Sequence, residues 1–177
     1  MIFEPYKTGF EAQQFDPPVG SVIAGKYEVD GVLGTAAFST ALQCIDHHAT
    51  DPEHQWVCLK VIKNSKDFFD QSLDEIKLLQ YINSRGDPDK YNVLRLMDFF
   101  YTKEHLILVT ELLRENLYEF GRHIRDMNLE PYFTLPRLKR IMKQVYIGEK
   151  FLHDSNSFAG IGGIAVHSFA EANSLRH

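Results

Sequence analysis

Cysteine is almost missing from this chain. Two occur in 177 residues, Cys44 and Cys58, and neither belongs to a Cys-x-x-Cys pair with metal-ligand spacing. A disulfide framework and a thiolate zinc site are therefore not indicated. Both cysteines read as buried, reduced thiols in a reducing compartment. The N-terminus Met1-Ile2-Phe3-Glu4-Pro5 has neither a basic segment nor the apolar run of a signal peptide. No apolar run approaches the roughly 20 residues that cross a bilayer, so no membrane partner is expected. These absences together place the chain in the cytosol or nucleus. An excess of positive charge is also lacking. Lys and Arg number 19 against 24 Asp and Glu, a net charge of -5. The signs are interspersed, which removes the electrostatic reason to expect a nucleic-acid partner. There is no internal repeat and no acidic or basic tail.

What is present is an ordinary globular composition, 44% hydrophobic. Residues 1–21 read as an extended leader with Gly9 and the pair Pro17-Pro18. From Tyr27 to Leu33 the chain alternates as a half-buried strand does. A small-residue turn, Gly34 to Ser39, leads to a second strand, Ala41 to Ile45. A loop with His47, His48 and His54 precedes a third strand, Trp56 to Ile62, rich in β-formers. The three histidines read as a solvated hairpin, since no carboxylate-histidine spacing supports zinc. Helical spacing then runs over Phe68 to Asn83. Val93 to Phe100 and Leu106 to Leu112 read as two more strands, joined by the polar turn Tyr101-Thr102-Lys103-Glu104. Two helices follow, Glu115 to Met127 and a second from Thr134 with Pro136 in its first turn. Five strands with one helix after the third, then helices, define an α+β class: an antiparallel sheet packed with a helix.

One lysine is out of place. Lys60 stands in the middle of a strongly apolar strand, where an ammonium without a partner is costly. Alternation sets Trp56, Cys58, Lys60 and Ile62 on one face and Val57, Leu59 and Val61 on the other. In the helix, Glu75 shares the apolar stripe of Phe68, Leu78, Leu79 and Ile82. Two inward charges of opposite sign on adjacent elements predict a Lys60–Glu75 ion pair. A lysine so held can grip a phosphate. Taken singly, each residue has a plainer reading: a lysine that snorkels to solvent, a glutamate on a wet face. The small-residue turn shifts the balance, because backbone N–H groups there can approach phosphate oxygens closely.

Strand, small-residue turn, strand, strand with lysine and helix with glutamate, in that order, resemble the N-lobe of a eukaryotic protein kinase. The Gly-rich loop of that family, Leu-Gly-x-Gly-x-Phe-Gly-x-Val, reads here Leu33-Gly34-Thr35-Ala36-Ala37-Phe38-Ser39-Thr40-Ala41. Ala36 and Ser39 replace two glycines and stiffen the loop. Val57-Cys58-Leu59-Lys60 resembles Val-Ala-Ile-Lys, and Val109-Thr110-Glu111-Leu112-Leu113 resembles the strand leading to the hinge. The finer resemblance is to the dual-specificity tyrosine-regulated kinases, in a plant-like group. It is carried by residues 60–79, by Asp89-Lys90-Tyr91, by Glu115-Asn116-Leu117-Tyr118-Glu119-Phe120, and by the leader segments Lys7 to Glu11 and Val22 to Tyr27. It covers about Lys7 to His153.

The resemblance implies a five-stranded N-lobe sheet with one helix, then the first two helices of the C-lobe. Its divisions would be a leader at 1–21, N-lobe and hinge at 22–113, partial C-lobe helices at 114–153 and a non-family tail at 154–177. It implies an ATP site made by Leu33, Gly34, Thr35, Ala36, Ala37, Phe38, Ser39, Ala41, Cys58, Lys60, Thr110, Glu111, Leu113 and Asn116. Lys60 and Glu75 would position phosphate, Thr110 would be the gatekeeper, and Asn116 would lie near the ribose. Mg²⁺ would arrive only with the nucleotide. A protein substrate or a partner kinase would be the macromolecular partner.

Phosphoryl transfer in that family also needs an aspartate to orient the hydroxyl, plus an asparagine and a second aspartate for Mg²⁺. After Phe151-Leu152-His153 the sequence runs Asp154-Ser155-Asn156-Ser157-Phe158. No His-x-Asp-Leu-Lys-x-x-Asn, no Asp-Phe-Gly and no Ala-Pro-Glu occurs in the 177 residues. Asp154 and Asn156 have the wrong spacing, and Gly160-Ile161-Gly162-Gly163 is not a dinucleotide fingerprint. The expectation is a kinase-like chain with no catalytic residue and no metal site. The alternatives are a non-catalytic fragment that binds nucleotide or a partner, and a mis-spliced product. Leu117, Phe120, Ile124, Met127, Leu138, Ile141, Met142 and Val145 are expected to lack apolar partners.

Overall fold

Strand alternation becomes antiparallel pairing in the computed structural model of the chain, which describes residues 15–114 and 116–155. Its elements are β1 (Val22–Ile23), β2 (Tyr27–Thr35), β3 (Ser39–Asp46), β4 (Trp56–Ile62), α1 (Lys66–Arg85), α2 (Pro88–Tyr91), β5 (Leu96–Thr102), β6 (His105–Glu111), α3 (Leu117–Asp126) and α4 (Leu135–Asp154). The six strands form one sheet in the order β1-β2-β3-β4-β6-β5. Every neighbouring pair is antiparallel. The class is α+β, as the order of elements indicates.

Two tight turns fix the register at the sheet's ends. Ala24 and Gly25 both have positive φ, 52° and 67°, and the Lys26 N–H donates to the Ile23 carbonyl at 3.1 Å. This primed turn matches strand twist, and it folds Val22-Ile23 back as a sixth strand beyond the five expected. The Lys103-Glu104 turn joining β5 to β6 has the same hand, with φ of 45° and 65° and no glycine.

The sheet's two faces bury different sets. On one face Tyr27, Val29, Leu42, Cys44, Val57, Leu59, Val61, Ile107 and Val109 form a core that Phe15 and Phe100 help cover. On the other, Ile62, Leu106 and Leu108 meet Ile76 of α1, with Phe68, Phe69 and Leu73 around them. The stripe of α1 that faces inward is Ser72, Glu75, Ile76, Leu78, Leu79 and Ile82, the spacing of one helix face. Its far end joins a third cluster of Leu78, Ile82, Val93 and Leu152, flanked by Tyr91 and Phe151. That cluster connects α1 to α4.

Several boundaries differ from the sequence reading. The strand expected from Val93 begins at Leu96, because Asn92 sits in the left-handed region at φ 54° and Val93 is claimed by the third cluster. The short α2 was not foreseen. Asp87 caps it by accepting from the Asp89 N–H at 3.0 Å, and Pro88 opens it. Helix α4 includes Asp154, one residue past the expected end, and Ser155 donates its hydroxyl to the Phe151 carbonyl at 2.7 Å. The greater part of the leader (1–14), Glu115 and the tail residues 156–177 lie outside the described residues.

Candidate functional site

Lys60 projects from the centre of β4 opposite Ala41 of β3 and Leu108 of β6. Its Nζ donates to both carboxylate oxygens of Glu75, each at 2.8 Å. The side chains are 25% and 11% exposed, so the pair is shielded without being sealed. The helix delivers the carboxylate because Glu75 lies on the stripe that packs against the sheet. Removing either partner would leave the other a half-buried charge with nothing opposite it.

Above this pair runs the small-residue loop. β2 ends at Thr35 and β3 begins at Ser39, so only Ala36, Ala37 and Phe38 bridge them. The Ala36 N–H donates to the Ser39 carbonyl at 2.8 Å, and the Lys63 N–H donates to the Phe38 carbonyl at 3.0 Å. Leu33 to Ala37 face solvent, Phe38 is partly exposed and Ser39 is buried. A methyl group added at Gly34 would meet nothing within 4 Å. The Phe38 ring lies 5.3 Å from Lys60 Nζ, a contact that sequence reasoning did not foresee.

Cys58 pairs with Thr110 across β4 and β6. Thr110 is buried, and its hydroxyl donates to the Glu111 carbonyl at 3.2 Å. Sheet pairing ends at Glu111, which leaves Leu112 and Leu113 outside the ladder. Glu111 is clamped twice to Arg95: its carboxylate accepts the Arg95 N–H at 2.7 Å, and its own N–H donates to the Arg95 carbonyl at 3.1 Å. The Arg95 guanidinium in turn reaches Asp89 at 2.6 Å, so α2 buttresses the end of β6. No sequence pattern pointed to Arg95. Asn116 is the cap of α3, its side-chain oxygen accepting the Glu119 N–H at 2.8 Å. The Asn-x-x-Glu spacing carried that signal.

The structure thus brings Lys60, Glu75, Phe38, Ser39, Ala41, Cys58 and Thr110 to one face of the sheet and its loop, with Leu113 and Asn116 further along the chain. The loop histidines separate: His47 contacts Glu28 at 2.7 Å and His54 contacts Asp51 at 2.8 Å. Among the described residues no group of three or more His, Cys, Asp or Glu side chains could hold a metal ion. No helix among them is long and apolar enough to cross a membrane.

A sheet with a lysine–glutamate clamp under a tight loop defines the N-lobe of a protein kinase, and comparison with known sequences agrees. A family profile described as protein kinase domain matches residues 27–159, and the chain belongs to that family. Within it the chain is of the dual-specificity tyrosine-regulated type. It is 34% identical over 135 residues to human dual specificity tyrosine-phosphorylation-regulated kinase 4, covering 74% of this chain and 25% of the relative. It is 41% identical over 113 residues to the DYRK-family kinase pom1 of Schizosaccharomyces pombe, covering 63% and 10%. It is 27% identical over 136 residues to human dual specificity protein kinase CLK1, covering 77% and 27%. The chain therefore spans between a tenth and about a quarter of the length of these relatives.

Proposed function

We propose that the chain binds ATP, with Lys60 on the phosphates, the loop from Leu33 to Ala41 above them, Cys58 and Thr110 beside the base, and the backbone near Glu111 and Leu113 reading its edge. Asn116 caps α3 at the ribose end. The carrying observation is the two-pronged Lys60–Glu75 contact at 2.8 Å. It places an ammonium on the face that also carries Ser39, Ala41, Cys58 and Thr110, where a charge-assisted contact can grip a phosphate. Mg²⁺ would arrive with the nucleotide.

The 177 residues lack the aspartate that orients a protein hydroxyl and the pair that holds Mg²⁺. We read this polypeptide as competent to bind nucleotide and incompetent to transfer phosphate to protein. The same lobe within a longer kinase would serve serine, threonine or tyrosine phosphorylation. With only two cysteines, the chain fits a reducing compartment, the cytosol or nucleus.

The test is titration of the chain with a fluorescent ATP analogue, beside Lys60→Met, followed by incubation of both with labelled Mg·ATP and a generic protein. The native chain is expected to bind, the variant to lose at least tenfold in affinity, and neither to transfer label. Equal binding by the two proteins would remove Lys60 from the site. Transfer that is lost in Lys60→Met would overturn the claim of incompetence.

A second reading rests on α4. Leu135, Leu138, Met142 and Tyr146 are exposed along one side of it, which suits docking to a partner such as another kinase rather than isolation in water.

A further inference from the structure

Phe38, in the loop between β2 and β3, reaches toward the candidate site, and its ring approaches two other elements there. Its ring centroid is 5.3 Å from Lys60 Nζ on β4. It also lies 6.4 Å from the ring of Phe68 on α1, tilted by 55°. Phe68 stands two helical turns before Glu75 on the same face. The backbone of Phe38 is fixed as well, by the Lys63 N–H that follows β4. One aromatic ring therefore meets the strand that carries the lysine and the helix that carries the glutamate.

We propose that Phe38 is a positioning residue for the Lys60–Glu75 pair: its ring shields the ammonium from water, holds it by a cation–π contact, and transmits the loop's position to α1 through Phe68. The physics favours this assignment. A lysine headgroup attracted to a carboxylate alone can pivot about it, whereas a ring face on a second side narrows the orientations it can take. The ring is 37% exposed, so it can lie against Lys60 on one side while its other side meets water. Loop and helix are far apart in sequence, and this contact ties the position of the loop to the helix that carries Glu75. The inference rests on the ATP-binding reading for its functional meaning, but its geometric core stands without nucleotide.

The experiment measures Lys60 directly. The intact chain is treated with trace acetic anhydride, without nucleotide, and acetylation at Lys60 is compared by mass spectrometry with that at Lys77, whose side chain is 72% exposed. Phe38→Ala is expected to raise the Lys60-to-Lys77 ratio roughly two- to fivefold, the size of one exposed cation–π contact. Phe38→Tyr is expected to leave it near native, and Phe38→Leu to fall between. Phe68→Ala is expected to raise the ratio too, and to shrink the further effect of Phe38→Ala. An unchanged ratio in Phe38→Ala would overturn the proposal, and strictly additive effects of the two alanines would overturn the bridge to α1. Affinity for the fluorescent ATP analogue is measured in parallel and is expected to weaken in Phe38→Ala and recover in Phe38→Tyr. If the native chain binds no analogue while the acetylation shifts appear as stated, the ATP-binding reading fails and the role of Phe38 stands.

Discussion

The sheet with α1 and the pair α3–α4 end in different states. Around the sheet, Leu42, Leu59, Ile107, Leu108 and Val109 are fully buried, and each face has something laid against it. In α3 and α4 the buried residues are only Gly121, Gly148 and Leu152. The apolar spacing of α4 is as clear as that of α1. Ile141 and Val145 are half-buried, while Leu138 and Met142 stand exposed. A small ring cluster of Phe120, Tyr132 and Phe133 anchors α3, and the stack of Tyr91 on Phe151 at 3.9 Å anchors the end of α4. Periodicity establishes that a helix has an apolar face. Whether that face is covered depends on a second element, which the sequence of the helix does not contain.

Stability measurements break or confirm this contrast most forcefully. Leu59→Ala removes a fully buried side chain from the middle of the sheet and is expected to cost about 2–5 kcal/mol of unfolding free energy. Met142→Ala removes a side chain of comparable size from an exposed position and is expected to change stability by less than about 0.5 kcal/mol. Urea unfolding followed by circular dichroism reads both. A large loss from Met142→Ala would mean that α4 is packed in solution and that the two regions are alike.

Much of the sheet was legible because its causes are local. Alternation over Trp56 to Ile62 and the polar turn at Lys103-Glu104 act within a few residues. The Lys60–Glu75 pair was legible for a different reason: each charge violates the pattern of its own element, and two violations of opposite sign have one cheap resolution. What could not be read depends on contacts between segments distant in sequence. Arg95 reaches Asp89 and Glu111 only because α2 and the end of β6 converge. Phe38 meets Lys60 only because the loop folds toward β4. Val93 looks like a strand residue, but the cluster of Leu78, Ile82 and Leu152 claims it first. The cap that Asn116 makes on α3 lies within its own Asn-x-x-Glu spacing, a local signal.

The joint between the two regions gives a smaller effect. At Gly86 an added methyl would fall 2.8 Å from Tyr91 Cδ2 and 3.2 Å from Phe151, inside the stack that ties α2 to α4. Gly86→Ala is expected to cost about 1–3 kcal/mol, the usual range for overpacking. Gly34→Ala, with open space around it, is the control and is expected to be nearly neutral. Thermal unfolding of the two variants distinguishes the cases. If Gly86→Ala were as mild as Gly34→Ala, the rings would separate freely and the helices would be only loosely tied to the sheet.

The smallest effect is chemical and reads the same contrast in time. Cys44 is buried in the sheet core, and burial, with lesser contributions from Cys58 and Asp30, pushes its thiol up to about 12. The sign follows directly. The fold favours the protonated thiol, so this contribution is complete below the ordinary value near 9.0 and is lost as pH rises from there toward about 12. At pH 8 almost no thiolate exists at Cys44, and iodoacetamide needs thiolate and access. Cys58, half-buried on the candidate-site face, is expected to alkylate first, with Cys44 following only when the sheet opens. Leu59→Ala should then speed labelling of Cys44, while Met142→Ala should leave it unchanged. Rapid labelling of Cys44 in the native chain would show that the sheet opens as readily as the helices, and the division between a closed region and an open one would fall.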